Sequence, residues 1–349
     1  MMNKRLKQGS TFLLAVALTF PLLTLPGAKA ASAIDTDAEC SIQFDIGGNS
    51  ELLKAGIPVN LYKVASVDES GNYTATGTFA KLDLSSVNAD NLADATAEWK
   101  KRANDAKEML TDSDGNTVVE PPKTITLTDN PNDDHTITGL KTGLYLVDTP
   151  KVITPNYTYT FTPYLISLPT NNYYNNNHTN DDWIYNLTGS NAVGLKPEQH
   201  VRYGNLVINK ELVDHNATFG DEATFVFQID IEKPDGKKET RIEELTFNAA
   251  GSDSVTIEKI PAGSTVTVTE VYSGASYKLT SENNVTATIV ANDEKEAGQA
   301  GETAVVSFTN EHDGRTNGGY GVKIISSWTK MVSISTPNRQ QRTRKGESE

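Results

Sequence analysis

The sequence predicts an all-β protein of two tandem β-sandwiches, the first carrying an inserted helix. Short runs alternate apolar and polar residues with the period of two that sends successive side chains to opposite faces of a strand. Turn residues punctuate those runs, and β-branched residues are abundant. Long helical periodicity is rare. The chain has 349 residues, enough for two or three domains.

The first domain is expected over residues 40–199. It opens with CSIQFDI (40–46), a Gly-Gly-Asn turn, and GIPVNLYKVA (56–65). Asn88 to Asp112 breaks the pattern: Leu92, Trp99, Ala103, Ala106 and Leu110 recur at three- to four-residue steps, which predicts an amphipathic helix packed on the sandwich. Strand character resumes in KTITLTD (123–129), HTITGLKTGLYLVDT (135–149) and YTYTFTPYLISLP (157–169). An Asn-rich loop and DDWIYNLTG (181–189), read as the closing strand, complete it.

The second domain is expected over residues 204–314. Three of its runs end on a polar residue that continues the apolar face. Leu206, Ile208 and Lys210 share one face; so do Val266, Val268 and Glu270, and Val306, Phe308 and Asn310. An amine, a carboxyl and a carboxamide are thus aimed into one interior, where each needs a partner. One reading is an unreacted Lys–Glu pair with Asn310 as hydrogen-bond partner. The other is reaction. Burial penalises charge, which favours a nucleophilic amine at Lys210 and a protonated carboxyl at Glu270 that polarises the Asn310 carbonyl. Lys210 then attacks, ammonia leaves, and Glu270 moves the protons as general acid and base. Residue parity leaves both readings open.

The stretches GNLVINKEL (204–212), ATFVFQIDI (223–231), VTIEKIPAGSTVTVTEV (255–271) and AVVSFTNEHDG (304–314) resemble the isopeptide-forming, immunoglobulin-like Cna protein B-type domain. The likeness is greatest to the C-terminal domain of Gram-positive backbone pilins. That resemblance implies a reactive Lys on the first strand, a catalytic Glu after the Pro-Ala-Gly turn and an Asn in the closing FTN: Lys210, Glu270 and Asn310. GIPVNLYKV also resembles the second strand of such domains, and residues 136–149 parallel 256–270. In that parallel Thr149 stands where Glu270 stands, and the opening strand SIQFDI offers no Lys, so the first domain is expected to lack the bond. In pilins a lysine near the end of a preceding domain is joined by sortase to the next subunit; Lys196, in the linker VGLKPEQHVRYG (193–204), is the candidate, against a plain solvated linker lysine.

Composition bounds the rest. The net charge of −14 includes +4 on residues 1–31 and +4 on residues 323–349, leaving −22 on residues 32–322. So acidic a body argues against binding nucleic acid or an anionic membrane. Lys4, Arg5 and Lys7 followed by the apolar Phe12–Leu25 and by Ala28-Lys29-Ala30 read as a signal peptide over 1–31, with no membrane span in the mature chain. Cys40 is the only cysteine, so no intrachain disulfide is available. The five histidines make no metal-ligand spacing, and no cofactor motif occurs. Residues 323–349 read as a disordered basic tail without a sorting signal. Taken with the resemblance, the sequence implies a secreted, non-enzymatic pilus subunit of the cell wall surface that supports adhesion. Its expected partners are other pilin subunits and sortase, with a host surface ligand as a further one. The alternative is a stand-alone adhesin that binds a host ligand through the first domain.

Overall fold

The computed structural model describes residues 33–85, 92–119, 123–171, 183–219, 222–292, 303–315, 321–325 and 331–335. The expected signal peptide lies outside them. The described residues fall into two units, one within Met1–Thr154 and Thr158–His200, the other within Pro155–Tyr157 and Val201–Glu349.

The chain runs β1 (Glu39–Asp45), α1 (Ser50–Ala55), β2 (Ile57–Val67), β3 (Tyr73–Ala75), α2 (Leu92–Glu108), β4 (Lys123–Leu127), β5 (Thr136–Lys141) and β6 (Gly143–Asp148). It continues through β7 (Val152–Ile153), β8 (Tyr157–Phe161), β9 (Tyr164–Leu168), β10 (Thr170–Asn171), β11 (Trp183–Ile184), β12 (Asn186–Leu187), β13 (Val193–Gly194) and β14 (Pro197–Val201). β1 pairs antiparallel with β5 and parallel with β12 and β13. A second sheet has the order β3-β2-β6-β9, with β4 on β2. The helix expected from the periodicity is α2. Its Ala103 and Ala106, and Leu110 just past its end, are buried with Phe79, Leu82, Leu144, Leu146 and Leu165, and Trp99 packs beside them.

Two features of this unit differ from the sequence reading. The turn after β1 contains a helix, α1, capped by Asn49, whose Oδ1 accepts from Leu52 N at 3.1 Å; a side-chain acceptor of this kind satisfies one of the orphan donors of the first turn. The closing strand is not continuous: Gly189–Asn191 form a 3-10 turn, and pairing with β1 passes from β12 to β13.

The second unit comprises β15 (Tyr203–Leu212), β16 (Ala223–Glu232), β17 (Lys238–Phe247), β18 (Gly251–Pro261), β19 (Thr265–Tyr272), β20 (Tyr277–Leu279), β21 (Val285–Thr288) and β22 (Ala304–His312). Two four-stranded sheets form, in the orders β18-β15-β22-β20 and β17-β16-β19-β21. Their inner faces interdigitate as in a sandwich. Leu206, Ile208, Val306 and Phe308 from one sheet meet Phe225, Phe227, Ile229, Val266 and Val268 from the other, all buried. Phe227 and Phe308 lie at 5.2 Å between ring centroids, and Phe225 stands edge-on to Phe247 at 5.7 Å. Such pairs add about 0.5–1.5 kcal/mol each to the area they bury.

The chain crosses between the sheets at both ends of the sandwich, with the Pro-Ala-Gly turn at the Gly204 end and the turn Thr280–Asn284 at the Lys210 end. The Pro-Ala-Gly turn joins β18 to β19: Ser264 N donates to Pro261 O and Gly263 has φ +76°, the left-handed value a type II turn needs and glycine takes without strain. The turn Thr280–Asn284 joins β20 to β21. At the far end of β15, a Cβ on Gly204 would lie 1.9 Å from Val290 O, so only glycine lets these backbones approach.

The two units share a pairing plan. In each, the first strand is antiparallel to the strand before the glycine turn (β1–β5, β15–β18) and parallel to the closing one (β1–β13, β15–β22). The second strand pairs antiparallel with the one after that turn (β2–β6, β16–β19). The faint sequence repeat corresponds to this plan.

Residues expected to begin a disordered tail instead include paired backbone. β23 (Gly321–Ile325) and β24 (Met331–Ser335) form an antiparallel hairpin. The local alternation of Val322 with Ile324 and of Val332 with Ile334 is the strand signal that the basic composition obscured. The remainder of 323–349 lies outside the described residues. Among the described residues no helix is long and apolar enough to cross a membrane.

Candidate functional site: a buried Lys-Glu-Asn cluster

Lys210, Glu270 and Asn310 are brought together in the core of the second unit. Strand alternation places them there. β15 buries Leu206, Ile208, Lys210 and Leu212; β19 buries Val266, Val268 and Glu270; β22 buries Val306, Phe308 and Asn310. Lys210 is 1%, Glu270 5% and Asn310 0% exposed, so all three are shut off from bulk solvent.

The three groups meet at bonding distances. Lys210 Nζ donates to Asn310 Oδ1 in a short contact. Asn310 Nδ2 donates to Glu270 Oε1 at 2.6 Å. Glu270 Oε2 stands 3.0 Å from Lys210 Nζ, without the alignment of a hydrogen bond. One carboxyl thus spans both nitrogens: the amine, and the amide nitrogen that would leave. Sequence reasoning expects the acid at the Asn310 carbonyl; here it faces the amide nitrogen instead. A half-turn of the carboxamide about Cβ–Cγ exchanges the two arrangements.

The walls are aromatic. Lys210 Nζ lies 4.5 Å from the centroid of the Phe225 ring, and Phe308 is two residues from Asn310 on the same face. Burial pushes the Lys210 amine below its ordinary value of 10.5, while the neighbouring Glu270 carboxylate opposes that shift. Burial is the larger influence, because an ammonium loses its hydration shell in this enclosure. A neutral amine is nucleophilic; an ammonium is not.

Lys196 is not part of this cluster; it lies in the other unit. It is half-buried, and burial lowers its pKa. Leu195 beside it is buried and its N–H donates to Asp45 O at 2.8 Å, which holds this stretch against β1. In the first unit, Thr149 is buried and β1 carries no lysine. Among the described residues no group of three or more His, Cys, Asp or Glu could hold a metal ion.

Sequence reasoning missed Asn283. Its Oδ1 accepts from Glu270 N at 2.8 Å, and its Nδ2 donates to Glu270 O at 3.2 Å. The only sequence signal was the Asn-Asn pair in a turn.

A family model described as a domain of unknown function (DUF5979) matches residues 206–313, a stretch that contains all three clustered residues. No curated protein matches the chain. Its neighbours among solved structures include Gram-positive major pilins. The chain is similar to the Bacillus anthracis TIE protein at 13% identity and TM-score 0.29, over 81% of this chain and 34% of that one. It thus spans about a third of that protein. It is similar to the major pilin protein (T3.2) from Streptococcus pyogenes serotype GAS13637 at 12% identity and TM-score 0.23, over 80% of this chain and 99% of that one. The full-length major pilin SpaD from Corynebacterium diphtheriae gives 12% identity and TM-score 0.22, over 80% and 99%. Likenesses this low carry no argument about chemistry.

Proposed function

We propose that this chain is a structural subunit of a sortase-assembled surface pilus, stapled by an intramolecular Lys210–Asn310 isopeptide bond and supporting adhesion. One observation carries the reading: an amine, a carboxyl and a carboxamide lie enclosed together, with Glu270 within 3.0 Å of the nucleophile and 2.6 Å of the leaving nitrogen. A buried ion pair with so few other partners is a costly way to stabilise a core. Reaction converts it into a neutral amide.

The proposed step balances within the cluster. The Lys210 ammonium gives one proton to Glu270 Oε2. The Nζ lone pair attacks Asn310 Cγ, and the carbonyl π electrons move to Oδ1. Glu270 then relays a second Nζ proton to Nδ2. An Oδ1 lone pair re-forms the carbonyl as the Cγ–Nδ2 bond breaks with its electron pair on nitrogen, and ammonia departs. Nζ keeps one hydrogen as the new amide, and Glu270 ends protonated. Proximity supplies much of the acceleration, because folding has already fixed the reactants.

The pilus role rests on the sequence resemblance of this domain and on the position of Lys196 near the end of the preceding unit. A digest tests the bond: tandem mass spectrometry should find one branched peptide joining the Lys210 and Asn310 peptides, absent from Glu270→Ala. Recovery of two separate, unmodified peptides from the wild type would rule it out.

A further inference from the structure

We infer that Asn283 is the positioning residue of this cluster, holding Glu270 in reach of Lys210 and Asn310 through the backbone. The inference rests on the reading of the cluster as a bond-forming site.

The register shows why a side chain is needed. β21 pairs with β19 from Thr265↔Thr288 to Val268↔Val285 and stops there. Continued two places, the same register would put Asn283 opposite Glu270. It cannot continue, because Asn284 takes a left-handed φ of +60° and turns the chain away. Glu270 would then be left with its N–H and C=O unpaired on that side, in a half-wet edge beside a buried site. The Asn283 carboxamide makes both bonds in place of the missing strand.

The same turn holds the acceptor strand. Ser281 Oγ accepts from Thr309 N at 3.1 Å, and Thr280 N donates to Thr309 O at 2.9 Å. Thr309 immediately precedes Asn310. The crossing Thr280–Asn284 therefore ties β22 of one sheet to β19 of the other at the level of the cluster. Thr269 Oγ1 adds a bond to Asn284 Oδ1 at 2.7 Å. Among the described residues the Glu270 carboxyl meets Asn310 Nδ2 and Lys210 Nζ, the two reacting groups themselves; its backbone is held by Phe227 of β16 on one side and by the Asn283 carboxamide on the other. A displacement near 1 Å costs about 100-fold in a reaction governed by proximity.

The test is a time course of intact mass after cell-free synthesis of the full chain, with circular dichroism to confirm folding. Wild type, Asn283→Ala and Asn283→Asp are compared. Aspartate keeps the acceptor for Glu270 N–H and loses the donor to Glu270 O. The expected result is at least about a tenfold slower loss of ammonia in folded Asn283→Ala, with Asn283→Asp between it and the wild type. Wild-type rates in Asn283→Ala would overturn the inference and leave the bond itself standing. If Asn283→Ala does not fold, Asn283→Asp decides: a wild-type rate there overturns it. A wild type that never loses ammonia would instead defeat the reading of the cluster, and the inference with it.

Discussion

Lys210 and Asn310 sit on neighbouring parallel strands, offset by two positions: Lys210 is opposite Phe308, and Leu212 is opposite Asn310. The offset suits the unequal reach of the two side chains. A lysine stem runs along the apolar face for two residues, while the short carboxamide stays over its own Cα. Because the first and last strands run parallel, a bond between them also lies across the line of pull through the unit. Force entering β15 would pass to β22 through the side chains and bypass the 100-residue separation between the two residues.

That geometry predicts a mechanical difference. Stretched from its ends, the wild-type second unit should yield no extension from residues between Lys210 and Asn310. Glu270→Ala should release that segment, roughly 330–360 Å at 3.3–3.6 Å per residue. Single-molecule force spectroscopy reads the step directly, and a step of that size in the wild type would contradict the prediction.

Stability should change in the same direction. Closing a loop of this length is worth about 4–5 kcal/mol in the chain-entropy model. Glu270→Ala loses this and also leaves Lys210 buried without a counter-charge, so its deficit in denaturant melts should be at least that large. Asn310→Ala, which keeps the ion pair, should lose less than Glu270→Ala.

Asn310→Ala also predicts a pH dependence. Without the bond, Lys210 titrates, and burial holds its folded pKa below the ordinary 10.5. Between those two values the unfolded chain binds more protons than the folded one, so unfolding free energy should rise with pH across that window. The wild type should lack this contribution, because an amide nitrogen does not titrate there. Denaturation series at neutral and alkaline pH compare the two; equal slopes would show that Nζ is free in both.

The first unit should remain uncrosslinked. Thr149 stands in the acid's place and β1 offers no lysine. Peptide mapping of residues 40–199 should recover only linear peptides, and this half should be cut first by proteases.

Lys196 is the predicted acceptor for a neighbouring subunit. Its lowered pKa leaves more free amine than an ordinary lysine has, which suits attack on an acyl-enzyme. Co-expression with a sortase and a signal-bearing partner should give high-mass ladders that Lys196→Arg abolishes. Ladders that persist would move the acceptor elsewhere, with Lys63 next to try.

The cluster was legible in the sequence because it obeys the simplest strand rule. Lys210, Glu270 and Asn310 each fall in phase with the two apolar residues before them, so parity alone places them inside. The pairing plan was legible in part, through the Pro-Ala-Gly turn and its earlier echo. Asn283 was not legible: it acts through side-chain bonds to another strand's backbone, and only the register of β19 and β21 puts it opposite Glu270. Nor was α1, a helix too short to show a period, or the break in the closing strand, where Gly189 interrupts the run. The hairpin of β23 and β24 was hidden by basic neighbours that dominate composition but not alternation.

The most direct test of the central claim is the intact mass of the folded full chain beside that of Glu270→Ala. The account predicts that the wild type is lighter than its sequence by one ammonia and that Glu270→Ala has its full mass. A wild type at full sequence mass, folded and with the three groups in place, would contradict it.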